Sequence, residues 1–318
     1  MFSKKFLTIF ISIFLLFSSI FIISVSSEQI AITSSGTTFY VDDSGGADFA
    51  KIQDAINASS DGDTVFVYNG TYYGNIVLNK SITLQGENNQ NTIIKDNMTD
   101  SNSHESKFAK HPTILMINAE NVKIANFKIA SNISEISTYL FFAGCTNCEI
   151  INNYFVGCRL KIFEGSNNKI RNNLFKSDYT KGGVSLDSSD FNQITNNSFI
   201  SLGGALSLLY CEGNTIEYNK IQDCLGGISL ADPFDDFECN KIRYNDFLSI
   251  KIIKAVGLPS GSIWRHNYWG RPRVIPKLII GGQRGYIPPG VGGPSLPVPP
   301  LLFFDFDWFP AKTPNCDF

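Results

Sequence analysis

The residues best placed by type and spacing to do chemistry are acidic. Glu164 follows Ile162, Asp187 and Asp190 follow Leu186, and Tyr210 and Glu212 follow Leu208. A longer segment after Leu230 adds Asp232, Asp235 and Asp236. Carboxylates brought close together repel unless a cation or sugar hydroxyls lie between them. A set of oxygen-only donors favours Ca2+ over zinc or copper. The expected site is a weak Ca2+ or glycan site on Asp232, Asp235 and Asp236, with Asp190, Tyr210 and Glu212 on neighbouring repeats. Nothing in the sequence requires any other cofactor.

Thiol and imidazole chemistry have less support. Cys145-Thr146-Asn147-Cys148 has the spacing of half a zinc site, but no matching second pair exists among the seven cysteines. The repeat register instead pairs Cys145 with Cys211 and Cys158 with Cys224, as small buried residues at matching corners. His104 and His111 lie seven apart in a polar segment, 96–112, read as a long loop. His266 alone stands in a regular repeat, and one histidine cannot complete a Ser-His-Asp set.

What must position these groups is a repeat. Ile150-Ile151-Asn152-Asn153-Tyr154-Phe155 returns as Ile170-Arg171-Asn172-Asn173-Leu174-Phe175 and Ile194-Thr195-Asn196-Asn197-Ser198-Phe199. Weaker copies begin at Ile124, Ile216, Ile242 and Trp264, so the period is 20–26 residues. Eight residues before the anchors lie Met116, Phe142, Ile162, Leu186 and Leu208. The pieces alternate apolar and polar, which places one face inward, and no helical period fits between them. A rung of about 22 residues without a helix coils into a parallel β-helix, each strand pairing with its equivalent one rung away. Nine or ten rungs are expected from Thr64 to Trp269. Asn153, Asn173, Asn197, Asn219, Asn245 and Asn267 share one offset. Asn tolerates the left-handed backbone of a sharp corner and, stacked, can form an amide ladder.

This pattern resembles the right-handed parallel β-helix repeat proteins of the pectin-lyase-like superfamily, nearest to its extracellular and NosD-like members. The resemblance runs from about Tyr40 to Trp269 and includes Phe39-Tyr40-Val41-Asp42-Asp43, Ile52-Gln53-Asp54-Ala55-Ile56 and Asp61-Gly62-Asp63-Thr64-Val65. It implies an all-β, single-domain fold. It also brings polysaccharide lyases and hydrolases into view, and an accessory role in copper-enzyme maturation. The hydrolase pattern would show Gly-His-Gly, which is missing, and Asp235-Asp236 is a lone Asp-Asp pair. A lyase would need an Arg base; Arg159, Arg171 and Arg243 are present and nothing in the sequence distinguishes them.

Four segments follow. Residues 1–27, with Lys4 and Lys5 before an uncharged run from Phe6 to Val25, read as an export signal or, if uncleaved, a membrane anchor. Residues 28–38 form a linker. Residues 39–269 form the β-helix, opened by a short capping helix with Asp48 as its cap. Residues 270–318 are a Pro/Gly-rich and aromatic arm, read as a cap over the last rung. Sequons at Asn57, Asn69, Asn79, Asn97, Asn132 and Asn196 suit a glycosylated secreted protein. The net charge of −3 offers no basic stripe for nucleic acid. The reading is an exported, extracellular or cell-surface monomer that binds or displays carbohydrate or another envelope component without catalysis. The alternatives are a divergent polysaccharide lyase or hydrolase and a NosD-like accessory protein.

Overall fold

The computed structural model describes residues 36–95, 113–131, 139–231, 239–251, 253–256, 262–271, 277–283, 301–307 and 309–316. They form a right-handed parallel β-helix, all-β but for one helix among the described residues. Each turn contributes one strand to each of three sheets. The first sheet has ten strands, from Thr38–Val41 to Ile263–Arg265. The second and third have eight each, ending at Asp246–Leu248 and Ile253–Val256. Among the described residues eight turns are therefore complete, fewer than the nine or ten expected. The last strand of the first sheet, Ile263–Arg265, starts a ninth turn, which the second sheet continues as a bridge from Asp246 to Tyr268.

The core is a set of side-chain columns. Ile124, Ile150, Ile170, Ile194, Ile216, Ile242 and Trp264 are partners from turn to turn in the first sheet. All are buried, and each isoleucine contributes about 1.5–3 kcal/mol by leaving water. In the second sheet Phe155, Phe175 and Phe199 stack with ring centroids 4.4 and 5.0 Å apart. Met116, Phe142, Ile162, Leu186, Leu208 and Leu230 form the inward column of the third.

The two asparagines of each pair divide the work assigned to them jointly. The first takes the left-handed corner, with φ of 56°, 57° and 55° at Asn152, Asn172 and Asn196. Tyr218, Tyr244 and His266 hold the same conformation in later turns, so this position requires only tolerance of positive φ. Tyr218, Tyr244 and His266 also stack outward at 5.1 and 5.2 Å. The second asparagine is buried and makes the ladder. Asn197 Oδ1 accepts the backbone N–H of Asn173 at 2.9 Å and its Nδ2 at 3.0 Å, while Asn173 Nδ2 also donates to Ile150 O at 2.8 Å. The pattern repeats through Asn219 and Asn245 to Asn267.

A second ladder, missed in the sequence, lies on the other side of the isoleucine strand. Asn168, Asn192, Asn214 and Asn240 are buried and linked in the same way. All four stand two residues before an anchor isoleucine, a fixed offset that was open to inspection.

Both ends of the coil are covered. The helix Ile52–Ala58 lies over the first turn with Ile52, Ala55 and Ile56 buried. Its N-cap is Lys51, without a side-chain bond, and not Asp48. Asp48 Oδ2 instead accepts the Tyr40 N–H at 2.9 Å, because the chain between them folds back as a bridge onto the first strand. At the far end Lys277–Gln283 and Leu301–Asp307 pair as an antiparallel hairpin. Asp307 stands where the next ladder asparagine would be. Its carboxylate accepts Asn267 N–H at 3.0 Å, Asn267 Nδ2 at 3.1 Å and Trp269 Nε1 at 3.0 Å.

The ladder sets the first testable outcome. Asn173→Leu leaves the Ile150 carbonyl without its side-chain donor and removes the acceptor of Asn153. It should destabilise the protein by about 1–3 kcal/mol. Urea denaturation measures this, and an unchanged midpoint would show that the ladder contributes little.

Candidate functional site

Of the residues singled out in the sequence, Glu164, Asp187, Asp190, Tyr210 and Glu212 fall at the end of the third-sheet strands and the corner that follows them. Glu164, Ser188 and Tyr210 take its left-handed position in successive turns, with φ of 51°, 48° and 52°. Tyr210 is exposed. Asp190 and Glu212 fall on adjacent turns, and Asp190 Oδ1 accepts the Glu212 N–H at 2.8 Å. Asp190 therefore already serves the backbone. Asp187 is 3.3 Å from Lys161 Nζ. Asp232, Asp235 and Asp236 lie outside the described residues, as do His104, His111 and residues 1–27. Among the described residues no group of three or more His, Cys, Asp and Glu side chains is placed to hold a metal ion.

A different feature dominates the outer face of the third sheet. A groove of about 400 Å3 runs across three adjacent strands, Gly182–Asp187, Gly204–Leu209 and Gly226–Ala231. Gly182, Gly204 and Gly226 are partners from turn to turn and line it. Beside them runs a second column, Ser185, Ser207 and Ser229, also in register. Successive turns are about 4.8 Å apart, so the groove offers one hydroxyl per turn at that interval.

The glycine column is open for a reason other than backbone geometry. None of the three has positive φ. A Cβ on Gly204 would meet nothing within 4 Å. Gly183 differs, because a Cβ there would come within 2.5 Å of the Ala205 carbonyl oxygen and 2.7 Å of the Phe199 ring. Packing thus demands glycine at 183 but not at 204, where its effect is to leave the groove empty of side chains.

One cation lines this groove. Of the three arginines the sequence could not separate, Arg171 is bound to Glu149, with Nε to Oε1 at 2.7 Å, and Arg243 is bound to Glu217. Arg159 begins the strand Arg159–Phe163, and its Nε is buried without a hydrogen-bond partner among the described residues. Lys181, at the start of the next turn's strand, is buried, and burial and then the Arg159 charge lower its pKa. The signal that could have marked Arg159 is the missing acidic neighbour. Glu149 and Glu217 each sit one turn before the arginine they bind.

The cysteines are structural. Cys145, Cys148, Cys158, Cys211 and Cys224 are buried, and none of the seven cysteines forms a disulfide. Cys148 Sγ donates to the Thr146 carbonyl at 3.3 Å and Cys158 Sγ to the Ile129 carbonyl at 3.2 Å. Burial pushes the Cys148 and Cys211 thiols up to about 12, and Cys224 to about 11.

Coil and sheets together define a pectin-lyase-like β-helix with an open groove on its third sheet. The chain belongs to the NosD family: the family described as periplasmic copper-binding protein (NosD) matches residues 56–285. No curated protein sequence matches. Among solved structures the chain is similar to an alginate lyase from Paenibacillus sp. str. FPU-7, at 10% identity and TM-score 0.47, over 70% of this chain and 91% of that one. It is similar to a polygalacturonase from Erwinia carotovora ssp. carotovora at 13% and 0.43, over 73% and 79%. A rhamnogalacturonan lyase gives 14% and 0.43, over 75% of each chain.

The family description prompts a test of the donors for copper, which takes thiolate, thioether or imidazole. The described residues do not fit it. The five thiols Cys145, Cys148, Cys158, Cys211 and Cys224 are buried apart from any group of three metal-ligating side chains, Met116 is in the core, and His266 is stacked on Tyr244 and packed against Phe309.

Two measurements follow. Gly183→Ala should cost about 1–3 kcal/mol through overpacking, whereas Gly204→Ala should stay within about 0.5 kcal/mol; urea denaturation compares them. The thiols give a pH dependence. Because their folded pKa is raised above the ordinary 9.0, the native state keeps protons that the unfolded chain releases. Their contribution is whole below 9.0 and is lost as pH rises toward about 12. Denaturation midpoints should fall over that window, and replacing Cys211 by Ala should flatten the fall.

Proposed function

We propose that this protein is an exported glycan-binding β-helix protein that holds an extended carbohydrate across the outer face of the third sheet. The observation that carries the reading is the open glycine column beside Ser185, Ser207 and Ser229. Each serine hydroxyl can both donate and accept, which suits sugar hydroxyls. The turn spacing of about 4.8 Å is close to the length one hexopyranose adds to an extended chain. Export is supported by Lys4, Lys5 and the apolar run of residues 6–25, and by the family's periplasmic description.

The lining is serine, glycine, aliphatic side chains and Arg159, which suits holding more than cleaving. Glycoside hydrolysis uses a pair of carboxyl groups across the bond. The second reading is a divergent lyase, for which Arg159, the cation among the groove-lining residues, would be the candidate base.

Gly204→Leu tests the main reading, since its Cβ has free space and its side chain fills the groove. The wild type should bind members of a glycan panel, and Gly204→Leu should lose that binding without a change in thermal midpoint. Equal binding by both proteins would remove the groove from consideration. Release of unsaturated products, seen by ultraviolet absorbance, would favour the lyase over pure binding.

A further inference from the structure

The first turn presents three strand edges with no preceding turn to pair with, and a side chain sits on each. On Thr38–Val41 the side facing away from the second turn carries the Tyr40 N–H, which Asp48 Oδ2 accepts at 2.9 Å. The Tyr40 carbonyl on that side takes the Phe49 N–H at 3.1 Å. On Gly70–Tyr73 Asp43 Oδ2 accepts the Thr71 N–H at 2.8 Å. On Ile76–Leu78 Gln53 meets both groups of Val77. Its Oε1 accepts the Val77 N–H at 2.8 Å and its Nε2 donates to the Val77 carbonyl at 3.3 Å. A side-chain amide there stands in for the peptide group of a missing strand. Gly70 fits the same arrangement, since a Cβ on it would fall 2.5 Å from the Asp43 carboxylate.

The helix Ile52–Ala58 buries Ile52, Ala55 and Ile56 and so covers the interior of the coil, which leaves the strand edges to these side chains. An open strand edge templates pairing with another chain. The far end of the coil is closed by backbone instead. Phe309 O accepts the His266 N–H at 2.8 Å, and the Ala311 N–H reaches Asn267 O at 3.0 Å. Asp246 takes the Asn315 and Cys316 N–H groups at 2.8 and 3.0 Å. We infer that Asp43, Asp48 and Gln53 are edge guards that keep a strand-pairing surface on the first turn closed, and that the partner this surface fits is the same edge of a second copy. Two identical edges meet about a twofold axis, and such a contact closes on itself. With the far end covered, association stops at two chains. The exposed carboxylates Asp43, Asp48, Asp54 and Asp61 add like-charge repulsion between two such ends, against Lys51 as the sole cation from residue 42 to 63.

Sedimentation velocity on full chains, over a range of concentrations, tests this. Wild type and variants carry the same residues 1–27, so any association through that apolar run is common to both. The wild type should keep one mass across the range. Asp43→Ala/Asp48→Ala/Gln53→Ala should shift, as concentration rises, to twice the wild-type mass and no further. A triple variant that keeps the wild-type mass and an unchanged circular dichroism spectrum overturns the inference, and so does growth into open-ended species. Amide hydrogen exchange at low concentration reads a guard by itself. Gln53→Ala should speed exchange at Val77 by roughly tenfold and leave Val65, in the next strand edge inward, as it was. Equal Val77 exchange in wild type and Gln53→Ala removes Gln53 as a guard and overturns the inference. Should the triple variant fail to fold, the mass series is run on Asp43→Ala and Gln53→Ala singly. Doubling in either upholds the guards, and wild-type mass in both overturns them.

Discussion

Buried asparagine amides, stacked from turn to turn, hold this coil in register. In a parallel β-helix each strand meets its equivalent in the next turn, so a one-residue slip would turn an inward isoleucine outward. Apolar columns alone oppose such a slip only through packing. The asparagine ladder opposes it through hydrogen bonds. Asn197 Oδ1 accepts two donors from Asn173, and Asn197 Nδ2 reaches back to the Ile170 carbonyl at 2.8 Å. A shifted turn would leave these groups buried and unmet, and leaving a buried group unmet costs more than making the bond gains. The second ladder, Asn168 to Asn240, fixes the other end of the same strand. Every isoleucine of the first sheet in these turns is therefore held between two amides.

The ladder also explains the ends. An asparagine in the last turn has a donor with nowhere to go, and Asp307 supplies the acceptor. A carboxylate suits this place better than another amide, because it has only to accept. It takes the Trp269 Nε1–H as well, which ties the hairpin to the last aromatic of the core. At the opening, Lys80 Nζ donates to the carbonyls of Ile56, Asn57 and Ser59, closing the C-terminal end of the short helix with a cation.

The repeat, its inward columns and the first ladder were legible because each rests on residue type at a fixed offset. The separation of roles within Asn-Asn was half visible: Tyr218, Tyr244 and His266 replace the first asparagine, while the second persists. The groove was harder to see. Gly182-Gly183-Val184-Ser185-Leu186 and Gly226-Gly227-Ile228-Ser229-Leu230 stand plainly in the sequence. Yet glycine marks both places where a side chain cannot fit and places where one is merely absent. Only the packing around Gly183 and Gly204 separates the two cases. Attention to charge led instead to the ends of these strands, where Asp187 and Asp190 are bound to Lys161 and to a backbone amide.

The same stacking that fixes the fold decides which chemistry its outer face can offer. Any outward residue repeated at one offset becomes a row with a spacing of about 4.8 Å. A row of carboxylates or ammonium groups would repel itself; on the first sheet Glu149 meets Arg171 on the diagonal and Glu217 meets its register partner Arg243. A row of serines carries no such penalty and can run uninterrupted, as Ser185, Ser207 and Ser229 do. Arg159 lines the start of this neutral row, before Gly182 and Ser185 in the next turn. Its Nε has no hydrogen-bond partner among the described residues, whereas Arg171 and Arg243 are bound by glutamates. The first sheet answers two of its arginines with a glutamate one turn away, and the serine row leaves Arg159 Nε without such an answer among the described residues.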